Sequence, residues 1–315
     1  MAEIRWAPHI RSNETTAKIM WSVLLALVPA LAGSIYFFGL AALEVVVVCA
    51  ASCFASEILS QIVFRREIKV YDGSALVTGI LLAFVLPPAI PLWMAAVGGF
   101  VAIFLTKELF GGIGYNIFNP ALTARAVLTV SFPLEMTRFT APLSYRIDAV
   151  TTATPLGIVK EGLNGHLPSM LDMFLGNRAG CIGETSTLLL LIGAIFLFSR
   201  RIITWHIPAT YIVTVAFLSF LVGHNPLFHV MAGGLILGAF FMATDYTTSP
   251  LTKNGKMIFG LGCGIITFLI REKGGYAEGV ASSIIFMNML VPLIDRYTMP
   301  KKFGLSRTRS GKTHK

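Results

Sequence analysis

Ten apolar runs follow one another along this chain, each near the roughly 17–25 residues that carry a helix across a bilayer. They fall at about 19–40, 42–64, 74–92, 93–110, 119–133, 185–200, 203–223, 226–244, 256–271 and 276–297. In hydrocarbon every backbone N–H and C=O needs a partner within the protein, so such runs fold as helices. The fold class expected is an all-α integral membrane protein. Composition agrees: 55% of the 315 residues are hydrophobic and 13% charged, against about 25% charged in soluble domains. A soluble chain of this length could not hide so much apolar surface. Four cysteines exclude a disulfide scaffold, and the opening residues mix Arg5, Arg11 and Lys18 with Glu3 and Glu14, unlike a signal peptide.

The net charge is +9, and its distribution reads as topology. With the N-terminus inside, eighteen of the 25 Lys+Arg fall on the inner side and six on the outer, with Arg125 inside a span. That bias places both termini in the cytoplasm. Six of the inner charges sit in the tail (Lys301, Lys302, Arg307, Arg309, Lys312, Lys315), which contains no acid. Such a tail suits anionic lipid, and no nucleic-acid partner is expected.

The chain also repeats. Phe104-Leu-Thr-Lys-Glu-Leu-Phe-Gly-Gly112 resembles Phe268-Leu-Ile-Arg-Glu-Lys-Gly-Gly275, and Leu76-Val-Thr-Gly-Ile-Leu-Leu-Ala83 faintly echoes Leu235-Ile-Leu-Gly-Ala-Phe-Phe-Met242. Five spans per half is an odd number, so the halves are expected as inverted repeats, an arrangement that places sites at the repeat interface. The organisation expected is a cytoplasmic N-terminus (1–18), a first five-span repeat (19–133), an extracytoplasmic segment (134–184), a second repeat (185–298) and a basic cytoplasmic tail (299–315). The third span runs into Pro87-Pro88-Ala-Ile-Pro91 and the fifth is short and contains Arg125. Both are expected to be broken, with irregular backbone lining a cavity.

Two segments could carry chemistry. The loop Gly111-Gly-Ile-Gly-Tyr-Asn-Ile-Phe-Asn-Pro-Ala-Leu122 offers three glycines (Gly111, Gly112, Gly114) that permit close backbone approach. Asn116 and Asn119 add amide groups, and Pro120 suits a helix start. It is neither a Walker loop nor a dinucleotide fingerprint, and the residues alone leave a tight turn and a ligand loop both open. The outer segment holds Asp148-Ala-Val-Thr-Thr-Ala-Thr154-Pro-Leu-Gly157. By itself this is a threonine-rich turn closed by proline, and no catalytic role follows from it.

Together the two segments resemble the flavin-bearing membrane subunits of the Rnf and sodium-pumping NADH:quinone reductase complexes. Those share a Gly-Gly-x-Gly-x-Asn-x-x-Asn-Pro-Ala loop and an extracytoplasmic Asp-x-x-Ser/Thr-Gly-Ala-Thr site. The resemblance implies FMN joined covalently to Thr154 through a phosphoester by a dedicated flavin transferase. Asp148, Thr151 and Ala153 fill other motif positions, and Thr152 stands where the pattern has glycine. The short region before span one is similar to the Rnf D-type branch. The B-type protein of the quinone reductase is the alternative, as is a non-redox channel or transporter sharing the inverted repeat. The Rnf branch implies a component, not active alone, of a ferredoxin:NAD oxidoreductase complex moving sodium or protons across a cytoplasmic (inner) membrane. Its partners would include the other Rnf subunits, among them a second FMN-carrying subunit. By analogy a non-covalent riboflavin would sit at the Gly-Asn loop.

Arg138, Arg146, Lys160 and Arg178 could serve the phosphate but read first as ordinary solvated charges. Arg125, inside a span, requires a partner and is a stronger site candidate. Glu57, Glu108 and Glu278 are candidates for ion coupling, Glu108 alternatively for a local ion pair, and Asp245 for a cap. Cys49 and Cys53 read as small buried hydrophobes. The histidines form no ligand pair at metal spacing, so no metal is expected.

Overall fold

The structure is a computed structural model that describes residues 15–68, 70–143, 151–162 and 167–300. These residues are mostly helical. In chain order the helices are α1 (Thr16–Phe38), α2 (Leu40–Val63), α3 (Ser74–Phe84), α4 (Leu92–Phe100, continuing as a π-helix over Val101–Glu108), α5 (Pro120–Ser131) and α6 (Pro133–Met136). After them come α7 (Pro155–Glu161), α8 (Met170–Leu175), α9 (Thr187–Ser199), α10 (His206–Leu221) and α11 (Pro226–Met231). The last are α12 (Leu235–Leu237, continuing as a π-helix over Gly238–Met242), α13 (Lys253–Lys273) and α14 (Val280–Thr298). The exception to all-α is a ladder in which β1 (Phe139–Thr140) pairs antiparallel with β2 (Thr151–Thr152).

Among the described residues α1, α2, α13 and α14 are each long and apolar enough to cross a membrane, and α3, α9 and α10 are shorter apolar helices. The chain is a multi-pass membrane protein. Its helix starts are written locally. Asn119 caps α5 and Thr154 caps α7, each followed by proline at the first helical position. Ser169 and Asp172 form a reciprocal capping box on α8, and the Ser169 hydroxyl holds the exposed Asp172 carboxyl below its ordinary range.

The breaks are equally local. α3 stops at Phe84, ahead of the Pro87-Pro88 pair, and α5 has only 12 residues, as the sequence leads one to expect. The run at 226–244, read from sequence as one span, is two pieces separated by 232–234. Gly233 and Gly234 adopt positive φ (51° and 28°), and the carbonyls of His229, Ala232 and Gly233 accept hydrogen bonds from Arg271 at 2.6, 3.0 and 3.1 Å. A side chain has replaced the helical donors there. The outer segment is likewise more than a polar connector, since it folds α6, α7, α8 and the ladder.

Lipid tails give no hydrophobic drive for helix association, so close backbone approach and hydrogen bonds must specify it. α2 crosses α3 and α4 in this way. A Cβ on Gly79 would stand 2.7 Å from Ala50 Cα, and the Ser52 hydroxyl donates to Ala96 O at 2.6 Å. On the other side α10 packs on α13 where a Cβ on Gly264 would stand 2.6 Å from Thr214 Cβ. A triangle of buried hydroxyls, Tyr211, Thr267 and Ser283, ties α10, α13 and α14 with oxygen separations of 2.6, 2.7 and 2.9 Å. Large apolar side chains such as Val47, Val213 and Phe217 face outward, toward lipid.

Gly79→Val should therefore destabilise the bundle by about 1–3 kcal/mol, the usual cost of overpacking. Gly275→Ala, where an added Cβ meets nothing within 4 Å, should be near neutral. Thermal melting of the two variants in the same detergent checks the contrast.

Candidate functional site

Two pockets share a wall within the bundle, called outer and inner here after the sidedness expected from the charge distribution. The outer one is walled by α5, the start of α14, the end of the second π-helix and the Thr154 segment. Thr154 is 7% exposed, and its Oγ1 accepts a hydrogen bond from Gly157 N at 3.2 Å. In the facing wall Arg125 donates through Nη1 to Glu184 (3.2 Å) and through Nη2 to Glu278 (2.7 Å). Three separate parts of the chain thus meet on one guanidinium.

Two further arginines stand within electrostatic reach of those carboxylates. Arg178, expected as a solvated loop charge, is instead buried. Its Nε donates to Thr185 O at 3.1 Å and its two terminal nitrogens donate to Met231 O and Glu184 O. Arg271, counted from sequence among the outer-side charges, is buried as well and holds the break before α12. Of these five groups only Arg125, Glu184 and Glu278 line the pocket, and Arg178 and Arg271 offset the carboxylates from outside it.

Glu184 Oε2 and Glu278 Oε1 have no hydrogen-bond partner among the described residues. The remaining walls include Leu122, Met136 and Phe139. The apolar walls fit a planar aromatic ring such as that of FMN, the two orphaned carboxylate oxygens could accept from a ring N–H, and Arg125 is the one cation of the lining that could meet a phosphate. Ligand atoms of Cys181, Glu184 and Glu278 lie within 4.8 Å of one another, a spacing that could hold a metal. Arg125 is already bonded to both carboxylates and takes a cation's role between them.

The inner pocket is lined by Lys107, Asn116, Asn119, Phe241, Asp245 and Thr247, among others. Asn116 Nδ2 donates to Thr247 Oγ1 at 3.0 Å, and Asn119 Nδ2 to Met242 O at 3.3 Å. Both asparagines tie the Gly-Asn loop to the second half of the chain. Gly111, Gly112 and Gly114 take φ of 129°, 93° and 91°, so a sharp turn requires them, and they do not line the pocket. The wall between the pockets is thin. Ala121 and Phe241 line the inner side, and their chain neighbours Leu122 and Met242 line the outer.

Lys107, read from sequence only as a topology charge, is buried, pairs with Glu57 and donates to Ser74 Oγ at 2.6 Å. Ser74 in turn donates to Asp72. The signal was present, since Lys107 and Glu57 lie within apolar runs. Glu108 is in an ion pair, the alternative to ion coupling, but its partner is the distant Arg66 at 3.2 Å rather than a sequence neighbour.

The profile of the NQR2, RnfD, RnfE family matches residues 3–304. The chain belongs to that family. Among its relatives, the D component of the Na(+)-translocating ferredoxin:NAD(+) oxidoreductase complex of Acetobacterium woodii is 48% identical, covering 96% of this chain and 95% of the relative. The D component of the proton-translocating ferredoxin:NAD(+) oxidoreductase complex of Clostridium ljungdahlii is also 48% identical, covering 96% of each. Its counterpart from an ion-translocating oxidoreductase complex of Stutzerimonas stutzeri is 40% identical over 91% of this chain and 92% of its own. Two family members at equal identity are named for different ions, so overall similarity does not assign the ion.

In this NQR2, RnfD, RnfE member, the candidates sort by pocket. Thr154 and Arg125 share the outer one, while Asn116 and Asn119 share the inner. Thr151 and Thr152 form β2 and Ala153 follows it, whereas Asp148 and Arg146 lie outside the described residues, as do the tail lysines. Arg138 pairs with Glu135 at 3.6 Å and stays exposed. Lys160 donates to Ile270 O and Tyr276 O at 3.1 and 2.7 Å, and desolvation lowers its pKa. Asp245, expected as a cap, instead accepts from the side-chain hydroxyls of Thr247 and Thr248 within a turn, and the helix that follows is capped by Thr252. All four cysteines are free and buried, and His224 pairs with Glu272.

Removing Arg125 leaves two carboxylates uncompensated. Breaking a buried pair in this way typically costs about 3–5 kcal/mol. Arg125→Met should lower the melting temperature sharply, and adding Glu184→Gln and Glu278→Gln should recover most of the loss.

Proposed function

We propose that this chain is the membrane electron-relay subunit of an ion-translocating ferredoxin:NAD+ oxidoreductase complex, carrying FMN as a phosphoester on Thr154. The observation that carries the reading is the position of Thr154 in the lining of a largely apolar pocket that Arg125 also lines. The names of the A. woodii and C. ljungdahlii relatives support the complex. FMN, when bound, supplies reversible electron transfer at its isoalloxazine. The chain does the rest.

Thr154 Oγ bears the ester, and the tether makes occupancy independent of free FMN. Arg125, the one cation of the lining, favours the phosphodiester's negative charge. Leu122, Met136 and Phe139 keep the pocket apolar. The β2 strand that ends ahead of Thr154, with Asp148 upstream, forms the strip that a flavin transferase reads. Asn116, Asn119 and Lys107 surround an inner position suited to a non-covalent riboflavin, and the thin wall at 121–122 and 241–242 brings the two positions close.

The same proposal includes ten spans as two inverted repeats, both termini cytoplasmic, in the cytoplasmic membrane. Matched details support this. α3 and α12 are both short and both begin after a positive-φ glycine, Gly73 or Gly234. The cation at the fourth position of each repeated motif, Lys107 or Arg271, bonds at or just ahead of the start of the short helix in its own half, to Ser74 Oγ or Gly233 O. A second FMN-carrying subunit supplies electrons in this scheme, and other subunits complete the ion path.

The test is mass spectrometry of the Thr154 peptide from cells that also express the flavin transferase. One FMN moiety on Thr154, an ultraviolet-fluorescent band in denaturing gels and a dark band for Thr154→Ala are expected. A dark wild-type band would overturn the covalent flavin, and a fluorescent Thr154→Ala band would move it elsewhere. Acid extraction of Thr154→Ala should still release riboflavin, and Asn116→Leu should reduce it. A reporter after Lys315 should behave as cytoplasmic and one near Asn164 as external. Quinone reduction by the purified complex, in place of electron exchange between ferredoxin and NAD, would favour the quinone-reductase alternative.

A further inference from the structure

The helix that Thr154 caps, α7, has seven residues. So short a helix does not hold itself in water, and it stays in place through what it docks on. Two contacts do this. Leu156, 4% exposed, packs with Met173, Phe228 and Ala232 in a small cluster separate from the main core. Lys160 reaches across from the last turn and donates through Nζ to Ile270 O at 3.1 Å and to Tyr276 O at 2.7 Å. Among the described residues, these are the hydrogen bonds that join α7 to another element.

Both acceptors lie where a cation is favoured. Ile270 O belongs to the last turn of α13, where helix carbonyls carry partial negative charge, and Glu272 adds a carboxylate within electrostatic reach. The second acceptor also lies where the outer pocket closes. Tyr276, Ala277 and Glu278 all line that pocket, as Thr154 does, and Glu278 is the carboxylate that Arg125 holds at 2.7 Å. Lys160 therefore fastens the helix that starts at Thr154 to the stretch that carries the partner of Arg125. One side chain closes the seam between two linings of the same pocket.

We propose that Lys160 is a positioning residue, whose two bonds hold α7 down and set how far the Thr154 hydroxyl can be reached from outside. With both bonds broken, α7 keeps only the Leu156 cluster, and Thr154 loses its cover more often. The consequence for biogenesis rests on the reading of Thr154 as the FMN attachment point: Lys160 sets how readily a packed but unloaded chain is still loaded. A purely structural role makes a different prediction. Access to Thr154 would then follow the stability of the whole bundle, not the chemistry of residue 160.

The experiment places a thiol at the site in the full chain, Thr154→Cys, expressed without a flavin transferase, and measures its alkylation by a sulfonated maleimide. The four native cysteines are buried, and the chain without the added thiol gives the background. Alkylation of a transiently opened site follows the open population, and one charge-assisted bond is worth about tenfold or more in that population. Lys160→Met should therefore raise the rate about tenfold or more at an unchanged melting temperature. Lys160→Arg, which keeps a cation and its donors, should restore the slow rate, and Lys160→Gln replaces the methionine variant if that fails to fold. Equal rates in all these chains would overturn the proposal. So would a rise that arginine shows as fully as methionine, or one matched by a fall in melting temperature. A second arm keeps Thr154, purifies the unloaded chain and adds the flavin transferase with its flavin nucleotide. Lys160→Met should gain ultraviolet fluorescence about tenfold faster than the parent, and equal rates would overturn the part of Lys160 in loading. Fluorescence in neither chain would overturn FMN on Thr154, while the thiol result alone would still decide the role of Lys160.

Discussion

Arg125 lies inside the bundle with its terminal nitrogens bonded to Glu184, at the end of the outer segment, and Glu278, just before α14. A charge at this depth persists only when paired, so its position dictates where those two parts of the chain must go. Arg178 and Arg271 extend the arrangement by bonding to backbone carbonyls around the same region. Those carbonyls belong to the places where helices are interrupted. Buried cations therefore let the backbone depart from helix at membrane depth, and the departures open the outer pocket beside Thr154.

The inner side uses the same physics with different residues. Lys107 bonds to Glu57 and to Ser74 at the start of α3, so a buried lysine anchors a short helix as Arg271 does on the other side. Between the two anchors the pockets approach until neighbours in sequence face opposite ways. Short helices leave room for both pockets, and only Ala121-Leu122 and Phe241-Met242 stand in the wall the two share.

Helix positions were legible because apolar run length is a one-dimensional property, and Pro120 marked the start of α5 as plainly. The fate of individual charges was not. Arg138 and Arg178 look alike in the sequence of the outer segment, yet one is exposed and the other buried. What separates them is tertiary: the carbonyls of Thr185 and Met231 happen to converge on Arg178. Glycine pairs make the same point. Gly98-Gly99 stays helical in α4, close against Leu128 and Ser52, whereas Gly233-Gly234 breaks its run because Arg271 takes the carbonyls. The dipeptide permits a break; a partner far along the chain decides whether it happens. Thr154 was legible as a motif, but the arginine facing it was placed there only by the fold.

The burial of Thr154 has a consequence for biogenesis. Its hydroxyl opens toward the pocket and is otherwise enclosed by its own helix turn and the packed outer segment. Little of the threonine is left for a modifying enzyme to reach once the segment has packed. If Thr154 carries FMN as proposed, attachment is easiest before this segment docks, and the order of loading and packing becomes part of how the protein is made.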